Sequence, residues 1–261
     1  MAKRRIDSLM VERGLAETRI RAQALLMAGK VLVGDRPVTK AGALVAEDVE
    51  VRLRKALPFV GRGGIKLAHA LDQFRLDMTF LKAADIGSST GGFTDCLLQR
   101  GSIRVYAIDV GRGQLDYRLR SDTRVVVMER VNARYPLSLP EKVDMATVDV
   151  SFISAAKVIP NTAAVVKEGG CVVVLLKPQF EAKRQEVSKG GVIKDPQMHA
   201  QVLGRFVVWA VDHGFRLKDL IPSPITGDSG NREFFVLLTP CSGKHTGQLL
   251  PRSRPSLRGT K

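Results

Sequence analysis

The chain has only three cysteines in 261 residues, Cys96, Cys171 and Cys241, with no CxxC pair and no histidine cluster beside them. That scarcity excludes a disulfide framework and a structural zinc site. It predicts no bound metal and a chain suited to a reducing compartment, the cytoplasm. Long apolar runs are also missing: the longest, such as Phe206–Val211, have about six residues, far short of the ~18 that a membrane span needs. The basic start, Met-Ala-Lys-Arg-Arg-Ile-Asp, has no apolar stretch behind it, so neither a secretory signal nor a membrane partner is expected. Two phosphate-cradling signatures, GxGxxG and GxxxxGK[ST], are absent, and no internal repeat is present.

Acidic residues are scarce against basic ones, 26 to 41, while 44% of residues are hydrophobic, enough for a folded core. The excess positive charge is uneven. Residues 1–60 carry 12 basic and 7 acidic side chains, and the last twenty carry five basic and none acidic. A basic small segment and a basic tail fit a polyanionic partner, nucleic acid first among them.

The pattern divides the chain into four parts. Residues 1–54 read as two short helices over 3–28 followed by small alternating strands; 55–60 are a connector; 61–241 are the main domain; 242–261 are a basic tail expected to be disordered. The apolar faces of the helix pair are ringed by Arg4, Arg5, Arg19, Arg21 and Lys30. Pro58 and the glycines of Gly61-Arg62-Gly63-Gly64 read as a boundary or hinge rather than a core element. From about residue 80, strands and helices alternate: Leu81–Ile86, Arg104–Ile108, Val125–Met128, Val143–Val148 and Cys171–Leu176 as strands, with helices including Gly92–Arg100 and Ser154–Val166. A further helix is capped by Asp195, and two last strands, Phe215–Ile221 and Glu233–Leu238, follow it. This order predicts an α/β fold, a doubly wound Rossmann-like sheet with helices on both faces, preceded by a small α+β domain.

The run Ala84-Asp85-Ile86-Gly87-Ser88-Ser89-Thr90-Gly91-Gly92-Phe93-Thr94 leaves an apolar strand and opens a helix, so its backbone is open to a close ligand. Asp109 ends the next strand, where a nucleoside ribose is held by its hydroxyls, and Asn132 follows the third strand as an adenine-side or turn-forming residue. A carboxylate just before the loop, Asp85, suits a ligand bearing an ammonium. The D-x-G-x-x-x-G-G arrangement resembles motif I of S-adenosylmethionine-dependent methyltransferases. Four ionisable residues, Lys66, Asp149, Lys177 and Glu233, stand near one end of the predicted sheet. Phe152, beside Asp149, is placed to stack on a base or to join the core, and Lys183–Lys194 reads as a basic loop. His199 and His213 have no partners and no role.

Residues 5–42, "RIDSLMVERGLAETRIRAQALLMAGKVLVGDRPVTKAG", resemble the S4 RNA-binding domain. The spacing of Lys66, Asp149, Lys177 and Glu233 resembles the Lys–Asp–Lys–Glu tetrad of FtsJ-like ribose 2′-O-methyltransferases. With "FVGRGGIKL", "DVSFIS" and "LLKPQFE", the whole chain is similar to the TlyA family, which has also carried the name haemolysin. The resemblance implies S-adenosylmethionine as cofactor, held by Asp85, the loop from Gly87 to Phe93, Asp109, Asn132 and Asp149. It implies RNA held by the N-terminal basic residues, Arg62 and Phe152. It also implies ribosomal subunits as partners and methylation of a cytidine ribose, in the large subunit and in some members also the small. In that setting Asp149 would orient Lys177, the proton acceptor, and Glu233 would orient Lys66. An inactive RNA-binding assembly factor and a membrane-lytic protein are the competing readings. The intact tetrad opposes the first, and the lack of a spanning segment opposes the second.

Overall fold

The computed structural model describes residues 2–54, 58–188, 190–227 and 229–241. The expected tail, 242–261, and part of the expected connector, 55–57, lie outside the described residues. The chain forms two units, Met1–Leu57 and Pro58–Lys261.

In the first unit β1 (Lys3–Arg5) leads into α1 (Ile6–Glu12) and α2 (Arg19–Met27), then β2 (Val31–Val33), β3 (Arg36–Pro37), β4 (Leu44–Ala46) and β5 (Val51–Leu53). Lys3–Arg5, expected to start a helix, is instead a strand antiparallel to β4. Ile6, Leu9, Met10, Ala22, Leu26 and Val31 form the core of this unit. Asp7 is a buried carboxylate at its centre. It accepts a double hydrogen bond from Arg5 (3.1 and 2.9 Å) and single ones from Arg19 and Gln23 (both 3.1 Å). The Arg5 hydrogen bond, more than any other contact, holds this acid far below the usual carboxylate range.

The second unit opens with α3 (Arg62–Gln73), followed by β6 (Lys82–Ile86), α4 (Gly92–Gln99), β7 (Arg104–Asp109), α5 (Tyr117–Arg120) and β8 (Val125–Glu129). Then come β9 (Val143–Val148), α6 (Ile159–Ala163), β10 (Val166–Leu176), α7 (Pro178–Glu181), α8 (Pro196–Asp212), β11 (Phe215–Pro222) and β12 (Phe234–Pro240). The strands make one seven-stranded sheet in the order β11-β12-β10-β9-β6-β7-β8. The five strands from β10 to β8 are parallel; β12 runs antiparallel to β10, and β11 antiparallel to β12. Successive residues bury on opposite faces. Ile86, Ile108, Val148 and Val174 pack with Phe206 and Ala210 of α8, whereas Ala83, Val105, Met145 and Val173 pack with Leu67 and Leu71 of α3 and Leu97 of α4. The sheet therefore has helices on both faces.

Two local expectations are corrected. The Gly61–Gly64 stretch is no hinge: Gly63 and Gly64 lie in the first turns of α3, because that helix packs tightly on its surroundings. A Cβ on Gly64 would stand 2.3 Å from the Phe59 ring, and one on Gly92 only 3.0 Å from the Gly64 nitrogen. The helix expected over 154–166 is a 3-10 turn, Ala155–Lys157, and the short α6; Pro160 has no N–H to continue a helix, and β10 already begins at Val166. Pro58 and Val60, assigned to the connector, hydrogen-bond to Gln99 and Asp95 of α4.

Replacing Asp7 with alanine should lower the stability of the first unit by about 2 kcal/mol, the scale of hydrogen bonds to a buried charged group. Urea unfolding read by amide exchange within residues 2–54 checks this. An acid whose pKa is depressed by folding stabilises above the usual carboxylate range and loses that contribution as pH falls. The difference between wild type and variant should therefore close on acidification.

Candidate active site

The strand order reverses at β6, whose neighbours are β7 on one side and β9 on the other. A crevice opens where the loops leaving such strands part. The turn after β6 runs from Gly87 to Gly91. Gly87 has φ +83°, and a Cβ there would stand 2.3 Å from the Asp149 carbonyl oxygen, so only glycine lets this turn lie against the end of β9. The Gly87 and Ser88 amides both donate to the Ile108 carbonyl (2.8 and 3.2 Å). Asp109, ending β7, accepts from Ser89 N–H at 2.8 Å and from Gly111 N–H at 2.6 Å. Its carboxylate thus clips the turn to the neighbouring strand and still faces a cavity.

Asp85 stands differently from its expected role. It is fully buried below the turn, lines neither cavity of the site, and accepts hydrogen bonds from Thr94 Oγ1 (2.7 Å) and Thr147 Oγ1 (2.9 Å). Loss of water pushes its carboxyl up to about 6, against the two hydroxyl contacts that pull it down. It supports the turn from beneath and has no open path to an ammonium. Phe93 is also mainly core, stacked on Phe235 with ring centroids 6.1 Å apart, and only its edge reaches the cavity.

All four ionisable residues open into one cavity of about 620 Å³, which the turn residues Gly87, Ser88, Ser89 and Thr90 and also Gly92 line. Lys66 comes from α3 and Glu233 from the entry to β12; their Nζ and Oε2 are 2.5 Å apart, with both side chains buried. Lys177 leaves β10 and lies 2.6 Å from Asp149 Oδ1 at the end of β9. That contact lacks hydrogen-bond alignment: Oδ1 is buried without a donor, and Lys177 donates instead to Ser151 Oγ at 2.8 Å. A buried carboxylate oxygen without a donor is suited to face a cation.

A second cavity of about 380 Å³ adjoins the first, sharing Gly87, Ser89, Asp149, Ser151 and Phe152. Asp109 and Asn132 line this part; Asn132 closes an Asx turn by accepting from Arg134 N–H at 3.0 Å. The two compartments meet at Gly87 and Asp149, so a nucleoside beside Asp109 and a second molecule beside Lys66 would share that boundary. These residues fit S-adenosylmethionine: glycine backbone for close approach, a carboxylate at Asp109 for ribose hydroxyls and, where the two compartments meet, the Asp149 carboxylate for positive charge.

Phe152 is 91% exposed at φ +63°, its ring 5.2 Å from that of Phe180, and it lines both compartments rather than the core. Arg62 lies at the cavity mouth. In the first unit Arg4 pairs with Glu12 and Glu47, and Arg5 and Arg19 are held by Asp7, while Arg21 and Lys30 are exposed. Ser151, Gln179 and Asn231 are among the residues of the site that went unread in the sequence. Ser151 and Asn231 each lie two positions from a tetrad carboxylate, the only signal they carry.

Fold and site together define a methyltransferase that uses S-adenosylmethionine. Residues 59–239 match the profile of the FtsJ-like methyltransferases and residues 4–51 that of the S4 domain. The chain is 44% identical over 256 residues to YqxC of Bacillus subtilis, a candidate rRNA methyltransferase, covering 95% of this chain and 90% of that one. It is 40% identical over 243 residues to the 16S/23S rRNA (cytidine-2′-O)-methyltransferase TlyA of Mycobacterium tuberculosis, covering 91% of each. A solved structure from Streptococcus thermophilus, of a protein carrying the hemolysin label, is 41% identical with a TM-score of 0.71, covering 93% of this chain and 90% of that one. The chain belongs to the FtsJ-like methyltransferase family, in the group with an added S4 domain that includes TlyA.

Asp85→Asn keeps both threonine contacts, since an amide accepts from one hydroxyl and donates to the other. An acid whose pKa is raised by folding stabilises fully below its unfolded value and loses that contribution as pH climbs through the folded one. From about pH 4 to 6.5 the wild type should lose up to about 3 kcal/mol relative to Asp85→Asn. Urea unfolding at each pH reads it; parallel stability curves would remove this assignment.

Proposed function

We propose that this chain methylates the 2′-hydroxyl of a cytidine ribose in ribosomal RNA, of the large subunit and in a wider reading also of the small, with the first unit binding RNA and the reaction taking place in the cytoplasm. The observation that carries the reading is the presence of two lysine–carboxylate pairs on one cavity with the glycine turn. When bound, S-adenosylmethionine supplies a methyl group on positively charged sulfur. The turn from Gly87 to Gly92 would hold the donor by its backbone, Asp109 would accept from its ribose hydroxyls, Asn132 would serve its adenine, and Asp149 would meet its positive charge. A ribose hydroxyl is a weak nucleophile and must lose its proton as its oxygen bonds to the methyl carbon and the sulfur–methyl bond breaks, the electron pair returning to sulfur, which would leave as a neutral thioether. Lys177 Nζ, beside Asp149 and Ser151, is the group that accepts that proton. Lys66, oriented by Glu233, stabilises negative charge growing on the 2′-oxygen. Phe152 offers its exposed ring to the target base, and Arg62 offers its charge to a phosphate. Among the described residues no helix is long and apolar enough to cross a membrane.

Labelled donor incubated with each ribosomal subunit separately, followed by mapping of the modified nucleotide, tests the proposal; label on the small subunit as well would widen the substrate, and none on either would refute it. Asp109→Ala should weaken donor binding by about 1.5–3 kcal/mol in calorimetry. Lys177→Arg keeps charge and donors but holds its proton, so methyl transfer should fall by ~10²-fold or more with both ligands still bound. Near-normal turnover would leave Lys177 a purely electrostatic part.

A further inference from the structure

Asn231 is 2% exposed, and every polar group of its amide is used. Its Oδ1 accepts from the Ile193 N–H at 2.9 Å, and its Nδ2 donates to the Gly191 carbonyl at 2.9 Å. Its own carbonyl accepts from the Gly227 N–H at 2.9 Å. One side chain therefore ties the backbone around 191–193, which descends from the loop after α7, to the turn that delivers Glu233. The partner backbone is itself held, because Ser188 Oγ donates to the Val192 carbonyl at 2.7 Å and Gly191 N–H to the Ser188 carbonyl at 2.8 Å.

The turn on the Glu233 side is packed against the carboxylate. A Cβ on Gly227 would stand 2.5 Å from Glu233 Oε1, so the backbone at 227 forms a wall on that oxygen. The other oxygen, Oε2, meets Lys66 Nζ. A glutamate has three side-chain torsions to fix, and a buried ion pair acts through geometry only while the carboxylate has one place to sit. Here the wall at Gly227 supplies that place, and the Asn231 carbonyl holds Gly227.

We propose that Asn231 is a positioning residue for methyl transfer: its side chain ties the backbone at 231 to the 191–193 segment, and the main-chain carbonyl held in place by that tie keeps the Gly227 turn against Glu233, the carboxylate that aims Lys66. The inference rests on the ribose-methylation reading above. Asn231 borders the same cavity, and its role in the reaction runs through Glu233.

The test uses the full chain, labelled S-adenosylmethionine and whichever ribosomal subunit the wild type modifies. Asn231→Ala should lower kcat about 10–100-fold, the scale of a misplaced catalytic group. The KM for the subunit and the Kd for the donor should change by less than about threefold, because the turn from Gly87 to Gly91 is untouched. Amide exchange at Ile193 should quicken. Combined with Glu233→Gln, the substitution should cost no more than Glu233→Gln alone, since the two act as a unit. Losses that multiply, or a loss confined to KM, would overturn the role and leave Asn231 a contact of the loop or of RNA. If Asn231→Ala does not fold, Asn231→Asp, which keeps the acceptor for Ile193, goes through the same cycle under the same criteria. A wild type inactive on both subunits would instead refute the functional reading, whereas an active wild type with multiplying losses refutes only Asn231.

Discussion

The missing side chain at Gly87 lets the turn after β6 lie against the carbonyl of Asp149, and most of the site's geometry follows from that contact. Any Cβ would part the two strand ends. With them in contact, the residue that ends β9 belongs to both compartments at once, and the clip from Ser89 to Asp109 draws β7 into the same arrangement. Beneath this surface Asp85 braces the turn through Thr94 and Thr147 without reaching the cavity. The acid most conspicuous in the motif thus serves as a support, and the acids that face the ligand space are Asp109, Asp149 and Glu233.

The two lysines occupy unlike surroundings. Lys66 and Glu233 are both buried at the cavity wall, and such a pair contributes mainly direction, since desolvation offsets much of its attraction. Lys177 faces a more exposed carboxylate and divides its contacts between that unaligned group and a serine hydroxyl. A rigid pair beside a looser one suits a centre in which one ammonium holds charge still and the other exchanges a proton.

The sheet and the turn were legible because strand periodicity and glycine placement reflect local backbone demands. Burial and packing were not. Gly63 and Gly64 read as a break because glycine weakens isolated helices, yet here they let α3 press against Phe59 and α4. Arg4, Arg5 and Arg19 read as free charges because their carboxylate partners, Asp7, Glu12 and Glu47, become neighbours only after folding. The four ionisable residues were picked out by family resemblance and expected strand ends, but no spacing announced that Asn231 would join two turns separated by some forty positions. Phe152 could be read either way until its positive φ and exposure put it over the cavity.

Because β12 runs against its neighbour β10, its first residues arrive at the sheet edge where β9 and β10 finish, and that reversal is how Glu233 meets Lys66, 167 positions earlier in the chain. Contacts of such sequence separation are slow to close and close late. During synthesis from the N-terminus, the first unit and the glycine turn emerge long before Glu233, the last of the four ionisable residues. A nascent chain on the ribosome therefore carries Lys66 without its counter-charge until the sheet's last hairpin is made. The antiparallel edge acts as a timer, keeping the catalytic centre incomplete until its maker has almost finished with it.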